Sequence, residues 1–284
     1  MEYQTKKIIF IPLSHDVYLF NSGSERIRCR WLAPLLSADI YDGTQNIDNY
    51  DVIIYQKCYL SKQSKELSTK YKDTKLQIFD ICDPEWKSFP NEFREMAEKC
   101  SFITTSTQDL TNSLRQMGYQ SYPIVDRINF EYFKGIKKQH TDTLVWLIWF
   151  GYGGRFEEVK PLIPYIEKLE LPMLVISDRP VGYGRFIKWT EETWLRDIIK
   201  GDIVLNPQRE FKTNIYTNKS LTAWTLGMPV AETKEDIKRF MDFNERVKES
   251  ELRLKEVQQN WDISQSAKEL LGLIMKYETS KNKS

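Results

Sequence analysis

Short apolar runs alternate with amphipathic segments along most of this 284-residue chain, and this alternation constrains its fold most strongly. In the first half the apolar runs are continuous, as expected for buried strands, and segments with helical spacing lie between them. The strand-like runs are "KKIIFIPL", "DVIIYQK", "LQIFDIC" and "SFITTS". Alternating strands and helices predict an α/β fold with mostly parallel sheets covered by helices.

A charged, turn-rich segment, "FKGIKKQHTD", interrupts the alternation, which then restarts with "TLVWLIWF". At roughly 100–200 residues per domain, the length also favours two domains. We predict two Rossmann-like domains, residues 1–135 and 136–265, followed by a C-terminal helix and tail, 266–284. The carboxyl ends of their sheets would face each other across a cleft, which is where α/β proteins bind ligands.

Charge and cysteine spacing narrow the functional classes. The chain has 41 Lys and Arg against 40 Asp and Glu, a net charge of +1, so no overall field favours nucleic acid or membrane. Its longest apolar run, "LVWLIWF", is shorter than the ~18–20 residues of a membrane span. Four widely spaced cysteines and two histidines predict neither a metal site nor a disulfide framework. We therefore expect a cytoplasmic protein.

The segment "VLNPQREFKTNIYTNKSLTAWTLGMPVAE" combines a strand, a polar loop and a helix. Thr217 is suited to cap the helix, whose first turn carries Asn218 and Lys219, and Gly227 and Pro229 are suited to end it. A lysine in the first turn opposes the helix dipole unless an anion binds there. The pattern therefore predicts a phosphate site, although many surface helices also begin with lysine.

A glycine-rich turn forms the second candidate phosphate site. Gly151, Gly153 and Gly154 follow a strand-like run and open a helical segment, as a phosphate-binding turn would. Phe156 holds the last position of the G-x-G-x-x-G pattern, so a dinucleotide cofactor is disfavoured. Neighbouring aromatic residues in "WLIWFGYGG" either stack on a ligand or belong to the core.

"TNKSLTAWTLGMPVA" resembles the donor-binding helix of GT-B glycosyltransferases of the group 1 type, which carries "(S/T)-N-(K/R)-L-x-E-A-x-x-x-G-x-P-V". The matching residues are Thr217, Asn218, Lys219, Ala223, Gly227, Pro229 and Val230. "SGSERIRCRWL", "FDICDPEW", "ITTSTQDLTNSL" and "WFGYGGRFEEVKPLI" resemble further parts of these enzymes, so the likeness spans most of the chain. Thr222 stands where many retaining members have a ribose-binding Glu, and Asn214 replaces its partner Glu. The identity of the sugar nucleotide is therefore open.

The resemblance implies a hexosyltransferase-like enzyme that moves sugar from a nucleotide-diphosphate sugar, expected to be a UDP-sugar, to a hydroxyl acceptor. It further implies retention of anomeric configuration and a metal-independent reaction without cofactor; the Asp-x-Asp metal motif is absent from the sequence. Arg155 and Lys160 have the spacing of the donor-diphosphate ligands in these enzymes, and they also fit a solvated helix face. The predicted donor residues are Gly151, Gly153, Gly154, Arg155, Lys160, Asn206, Arg209, Thr217, Asn218, Lys219 and Thr222.

Three residues are predicted to be catalytic: His15, Asp16 and Lys219. His15 follows the first strand, where some inverting GT-B enzymes carry a base, and histidine suits that role. Asp80 and Asp83 are alternative carboxylates, which at strand ends often only brace loops.

The predicted acceptor residues are Ser22, Gly23, Ser24, Arg26 and Arg30. On an α-helix Arg26 and Arg30 would lie one turn apart on one face, and with Lys57, Lys62 and Lys65 they would suit an anionic acceptor. A solvated face is the alternative. We expect a glycan acceptor, with hydroxymethylated bases in DNA as a second possibility. A catalytically degenerate nucleotide-binding module is a further alternative, whereas nucleic-acid recognition without catalysis is disfavoured by the net charge.

Overall fold

Two parallel β-sheets organise the chain, one in each of two compact units. The computed structural model describes residues 6–13, 22–143, 145–207 and 217–281. The first unit comprises Met1–Arg127 and Ile263–Ser284, and the second comprises Ile128–Asp262. These division points lie a few residues before the predicted boundaries at 135 and 265. The predicted boundaries of the functional domains, at residues 135 and 265, stay predictions.

The first unit contains a six-stranded sheet in the order β2-β1-β3-β4-β5-β6, with every neighbouring pair parallel. Its strands are β1 (Ile8–Ile11), β2 (Asp39–Ile40), β3 (Val52–Gln56), β4 (Leu76–Ile81), β5 (Phe102–Thr105) and β6 (Ser121–Pro123). The inner strands are buried on both faces, which explains their continuous apolar sequences.

Helices connect and cover these strands. They are α1 (Gly23–Glu25), a π-helical turn (Arg26–Arg30), α2 (Leu32–Leu35), a 3-10 turn (Ile47–Asn49), α3 (Lys62–Lys70), α4 (Glu85–Ser88), α5 (Pro90–Ala97) and α6 (Gln108–Gln116). Thr107 caps α6 by accepting the Leu110 N–H at 3.1 Å, and Gly118 follows with a φ of +89°.

The second unit contains a five-stranded parallel sheet in the order β11-β10-β7-β8-β9. Its strands are β7 (Leu147–Phe150), β8 (Met173–Ser177), β9 (Arg185–Lys188), β10 (Ile203–Leu205) and β11 (Val230–Ala231). The sheet packs around a core that includes Trp149, Phe156 and Leu205. β9 is the partly exposed edge strand.

The helical segments of the second unit include two 3-10 stretches. They are 3-10 turns at Phe130–Phe133 and Gly153–Leu162, then α7 (Ile163–Lys168), α8 (Trp194–Ile198), α9 (Asn218–Thr225), α10 (Lys234–Phe240) and α11 (Phe243–Asn260). The segment after the glycine turn is only partly α-helical, because Pro161 cannot donate to an α-helical ladder. The chain then returns to the first unit as α12 (Ile263–Lys281), which packs against α2.

Cysteines and helices give no sign of cross-links or membrane spans in the described ranges. The thiols of Cys29, Cys58, Cys82 and Cys100 are all free. Within the same ranges, every helix is too short or too polar to cross a bilayer.

Candidate functional site

The strand order of the second unit defines one position suited to ligand binding. β7 lies between β8 and β10, and the chain continues from β7 to β8 on one side and from β10 to β11 on the other. Where successive connections diverge in this way, a crevice opens outside the carboxyl ends of the central strands. The loops that follow β7 and β10 therefore flank the crevice, and these loops carry the two phosphate motifs of the sequence.

The loop after β7 is the glycine turn, residues 151–154. Gly151 has a φ of +152°, which a residue with a side chain rarely adopts. The N–H of Gly153 donates to Asp178 Oδ1 at 2.6 Å. Asp178 follows β8, so a carboxylate from the neighbouring strand end fixes the turn.

The loop after β10 leads to the first turn of α9. As predicted, Thr217 is its N-cap and accepts the Ser220 N–H at 3.3 Å. Asn206, directly after β10, donates through Nδ2 to Thr217 Oγ1 at 2.8 Å and to Ser220 Oγ at 2.9 Å. A strand-end amide thus fixes the start of the helix. Gly227 follows the helix with a φ of +72°, as its predicted role at the helix end requires.

Lys219 joins the two loops. Its Nζ lies 3.7 Å from the position that a Cβ on Gly151 would occupy. The same ammonium lies 4.6 Å from the centre of the Trp149 ring and 5.9 Å from that of Phe150. A cation, the first-turn amides of a helix and a glycine turn therefore meet at one sheet edge, as an anion site requires.

The other predicted donor residues have varied positions. Lys160 is exposed on the 3-10 stretch and forms an ion pair with Glu157 at 2.7 Å, as expected of a solvated face. Arg155 is also exposed. Thr222 is buried in α9. Arg209 lies outside the described residues, as does Asn214.

The aromatic residues divide between core and surface. Trp149 is fully buried and packs edge-to-face on Phe156, with ring centres 5.2 Å apart. Tyr152, in the turn itself, is 61% exposed. The buried Trp149 ring belongs to the core and lies near the Lys219 ammonium. Tyr152 is the exposed aromatic residue of the turn.

Sequence reasoning missed Asp178 and Arg179, which follow β8 at the same sheet edge. The Arg179 side chain crosses the glycine turn: its Cγ lies 2.9 Å from a Cβ position on Gly153, and its Nη2 lies 3.2 Å from that on Gly154. Its guanidinium lies 5.4 Å from the centre of the Tyr152 ring. The available signal was a charged pair directly after a buried parallel strand.

In the first unit, Arg28 holds the carboxyl ends of the sheet together. It donates to both Asp80 oxygens at 2.6 and 2.8 Å, to Asp126 Oδ1 at 2.5 Å and to the Ile124 carbonyl at 2.7 Å. Thr104 Oγ1 also donates to Asp80, at 2.7 Å. Burial lowers the pKa of Arg28, but the two carboxylates outweigh it and the net pKa is raised. Asp80 thus braces the sheet, which was the structural alternative for this carboxylate.

A second cluster surrounds Lys57, which has a left-handed φ of +53° after β3. Its Nζ lies 2.7 Å from both Asp83 Oδ2 and Glu85 Oε1. Tyr59 donates to Glu85. Burial lowers the pKa of Lys57, but Cys82, Asp83 and Glu85 together outweigh it, so the pKa is raised. Burial and Glu85 raise the pKa of Tyr59. The cation at this strand end is neutralised by its neighbours.

The predicted acceptor turn forms the N-terminus of α1. Ser22 is the N-cap, accepting the Glu25 N–H at 3.1 Å, and its Oγ lies 3.1 Å from Ser24 Oγ. Gly23 is exposed. Beyond this point the chain forms a π-helical turn, in which the Trp31 N–H donates to the Arg26 carbonyl, so Arg26 and Arg30 do not share an α-helical turn.

The two arginines of that turn differ in environment. Arg26 is 9% exposed, and its guanidinium lies 5.9 Å from the centre of the Trp31 ring. Arg30 donates to Glu25 Oε1 at 2.9 and 3.0 Å. His15 and Asp16, the predicted base and its neighbour, lie outside the described residues.

No protein-family model and no curated protein matches the chain. Solved structures do. A glycosyltransferase from Rickettsia africae ESF-5 is similar with a TM-score of 0.65 at 10% identity, over 95% of this chain and 98% of that chain. An alpha-glucosyltransferase in complex with UDP and mismatched DNA gives 0.56 at 9% identity, over 93% and 94%. The lipopolysaccharide outer core galactosyltransferase WaaB gives 0.54 at 11% identity, over 95% and 99%.

These likenesses, together with the two parallel sheets, confirm the predicted fold class. Among the described residues, no three His, Cys, Asp or Glu side chains cluster as metal ligands would. The chain has the GT-B fold of glycosyltransferases, with two Rossmann-like α/β units.

Proposed function

We propose that this protein is a glycosyltransferase that moves a sugar from a nucleotide-diphosphate sugar, specifically a UDP-sugar, to a hydroxyl acceptor. The observation that carries the proposal is the position of Lys219 Nζ, 3.7 Å from where a Cβ on Gly151 would lie, at the strand-order switch of a GT-B fold. This position has the positive charge and the amide donors that a leaving diphosphate needs.

In this proposal the chain itself stabilises the leaving group. As the bond between the sugar and the diphosphate breaks, negative charge grows on the phosphate oxygen, and the Lys219 ammonium and first-turn amides of α9 stabilise it. No metal ion is then required. The reaction retains anomeric configuration, and the departing phosphate oxygen takes the proton of the acceptor hydroxyl.

A donor-hydrolysis assay with UDP-, GDP- and ADP-sugars tests the activity. We expect slow release of UDP without acceptor, undiminished by EDTA. Binding of these donors by calorimetry without turnover, even with acceptors supplied, would instead favour a degenerate nucleotide-binding module. Thr222 motivates that second candidate, since it offers no carboxylate to a ribose.

Stereochemistry is tested by the anomer of the product, read by NMR from any active donor. Under retention, His15→Ala keeps most of its kcat. A loss of ~10²–10⁴-fold together with an inverted product would identify His15 as a general base instead.

For the acceptor we propose a glycan rather than DNA. The basic residues predicted to hold an anionic acceptor are largely engaged by carboxylates: Arg30 with Glu25, Lys57 with Asp83 and Glu85, Lys62 with Glu66, and Lys65 with Glu95. A surface neutralised in this way lacks the charge that phosphate backbones require.

The DNA-bound neighbour keeps modified DNA as the alternative acceptor. A gel-shift titration at 50 and 200 mM salt separates the two. Weak binding that changes little with salt supports the glycan, whereas a fall of ~10³-fold or more would support DNA.

A further inference from the structure

We infer that Arg179 is the second cation of the donor-diphosphate site, in the place predicted for Arg155 and Lys160. This inference rests on the proposed function, because it assigns a ligand contact within the same site. It concerns a residue outside every motif of the sequence and is argued from the turn's geometry.

Arg179 and Lys219 lie near opposite ends of the glycine turn. Lys219 contacts the start of the glycine turn, at Gly151, while Arg179 runs along its end, past Gly153 and Gly154. The two cations thus contact one four-residue turn from two different strand-end loops. A diphosphate carries charge on both phosphates, so a pair of cations along one turn suits it better than a single cation.

The electrostatic surroundings of Arg179 also suit contact with an anion. Among the described residues Arg179 forms no ion pair, and its guanidinium lies over the Tyr152 ring, 5.4 Å from the ring centre. A ring face holds a guanidinium in place without using its N–H donors. Lys160, by contrast, is paired with Glu157 on an exposed face. Asp178 Oδ1 accepts the Gly153 N–H at 2.6 Å, so this carboxylate is bound to the turn itself.

Gly153 and Gly154 leave room for the Arg179 side chain. A Cβ on Gly153 would lie 2.9 Å from Arg179 Cγ, and one on Gly154 would lie 3.2 Å from Arg179 Nη2. Absent side chains at both positions let the arginine lie flat on the turn. The glycines therefore serve to admit Arg179 as well as to leave backbone exposed to a phosphate.

Isothermal titration of the full chain with UDP, inorganic pyrophosphate and uridine tests the inference. Arg179→Met should weaken UDP and pyrophosphate binding by about 10- to 100-fold, as expected when a charged hydrogen bond is lost, and should leave uridine binding within about twofold. Arg179→Lys should lose less than Arg179→Met. Arg185→Met is the matched control: it removes an exposed arginine at the start of β9, and all affinities should stay within about twofold.

The outcomes separate the two proposals. If Arg179→Met binds UDP and pyrophosphate as wild type does, or weakens uridine equally, the inference is overturned and the proposed function stands. Pyrophosphate binding that depends on Arg179, without any nucleoside diphosphate binding, would overturn the proposed function and keep the anion site. A wild-type chain that binds neither UDP nor pyrophosphate would overturn both the inference and the proposed function.

Discussion

The two units use cations differently at the carboxyl ends of similar parallel sheets. In the first unit, the buried Arg28 and the half-buried Lys57 are paired with carboxylates, with N–O distances of 2.5–2.8 Å. In the second unit, Arg179 lies against the Tyr152 ring and the glycine turn, and Lys219 Nζ lies 4.6 Å from the centre of the Trp149 ring. Two similar sheet edges therefore differ in the groups that surround their cations.

The neighbours of each cation account for the difference. A carboxylate satisfies a cation within the fold, so the first-unit clusters hold strand ends together. The Tyr152 ring lies against the Arg179 guanidinium without supplying a full negative charge. We therefore expect substitutions at the first-unit clusters to change stability, and substitutions at the second-unit cations to change ligand binding and turnover.

The largest expected effect is on stability. Arg28→Met leaves the buried Asp80 without this cation and removes an ion pair of Asp126, so the free energy of unfolding should fall by about 3–5 kcal/mol in urea denaturation. Lys62→Met, which removes an exposed pair with Glu66 at 3.8 Å, should change it by less than about 0.5 kcal/mol. Equal, small losses would mean that Arg28 does not brace the sheet.

The next effect is on turnover. Lys219→Ala should lower kcat/KM for the active donor by about 10²–10³-fold, while the urea midpoint stays close to wild type, since the lysine opposes the helix dipole. Lys234→Ala is the matched control, because Lys234 is exposed in the first turn of α10. Turnover by Lys219→Ala at the wild-type rate would remove the assigned site.

Glycine substitutions sharpen the comparison between the two predicted ligand turns. Gly153→Ala must displace Arg179 or Asp178, so we expect UDP affinity to fall and stability to drop by about 1 kcal/mol. At Gly23 the nearest atom to a new Cβ is Arg26 Nη2, at 3.9 Å, an ordinary contact. Gly23→Ala should therefore change neither quantity. Thermal melts and UDP titrations of both variants measure the contrast.

The smallest effect concerns His140 of the second unit. Its Nε2 lies 2.9 Å from the Gly227 carbonyl oxygen and 3.0 Å from Ser250 Oγ, and burial lowers its pKa. The hydrogen bond with the Gly227 carbonyl raises the pKa, as does Asp202, but burial together with Arg246 and Lys138 outweighs them. The unfolded chain then binds the proton more tightly, so stability is present above about pH 6.5 and is lost as pH falls below it.

Melting temperatures between pH 7.5 and 5 test this direction. The wild type should lose more stability over that range than His140→Gln. Parallel pH profiles of the two proteins would show that His140 is not the titrating group.

Much of this fold was predictable from sequence, because strands buried on both faces have continuous apolar runs and the helices between them have clear caps at Thr107 and Thr217. The π-helical turn at Arg26–Arg30 was not, since helical spacing does not distinguish it from an α-helix. The 3-10 stretch at Gly153–Leu162 could have been anticipated from Pro161.

The candidate site was half predictable. The glycine turn and the start of α9 stand out as local motifs, but their contact depends on β7 lying beside β10, which is a property of strand order. Arg179 reaches the turn from a third loop, 25 residues after Gly154. No local sequence pattern predicts that this side chain lies against the turn. Ion pairing, as between Lys160 and Glu157, is likewise visible only in the structure.

The central claim is that the donor diphosphate binds where the loops after β7 and β10 meet. A crystal structure of the full chain with UDP tests it most directly. We predict phosphate oxygens within hydrogen-bonding distance of Lys219 Nζ and the first-turn amides of α9, beside Gly151. Phosphates bound instead along Lys160, or at the Lys57 cluster of the first unit, would contradict the claim.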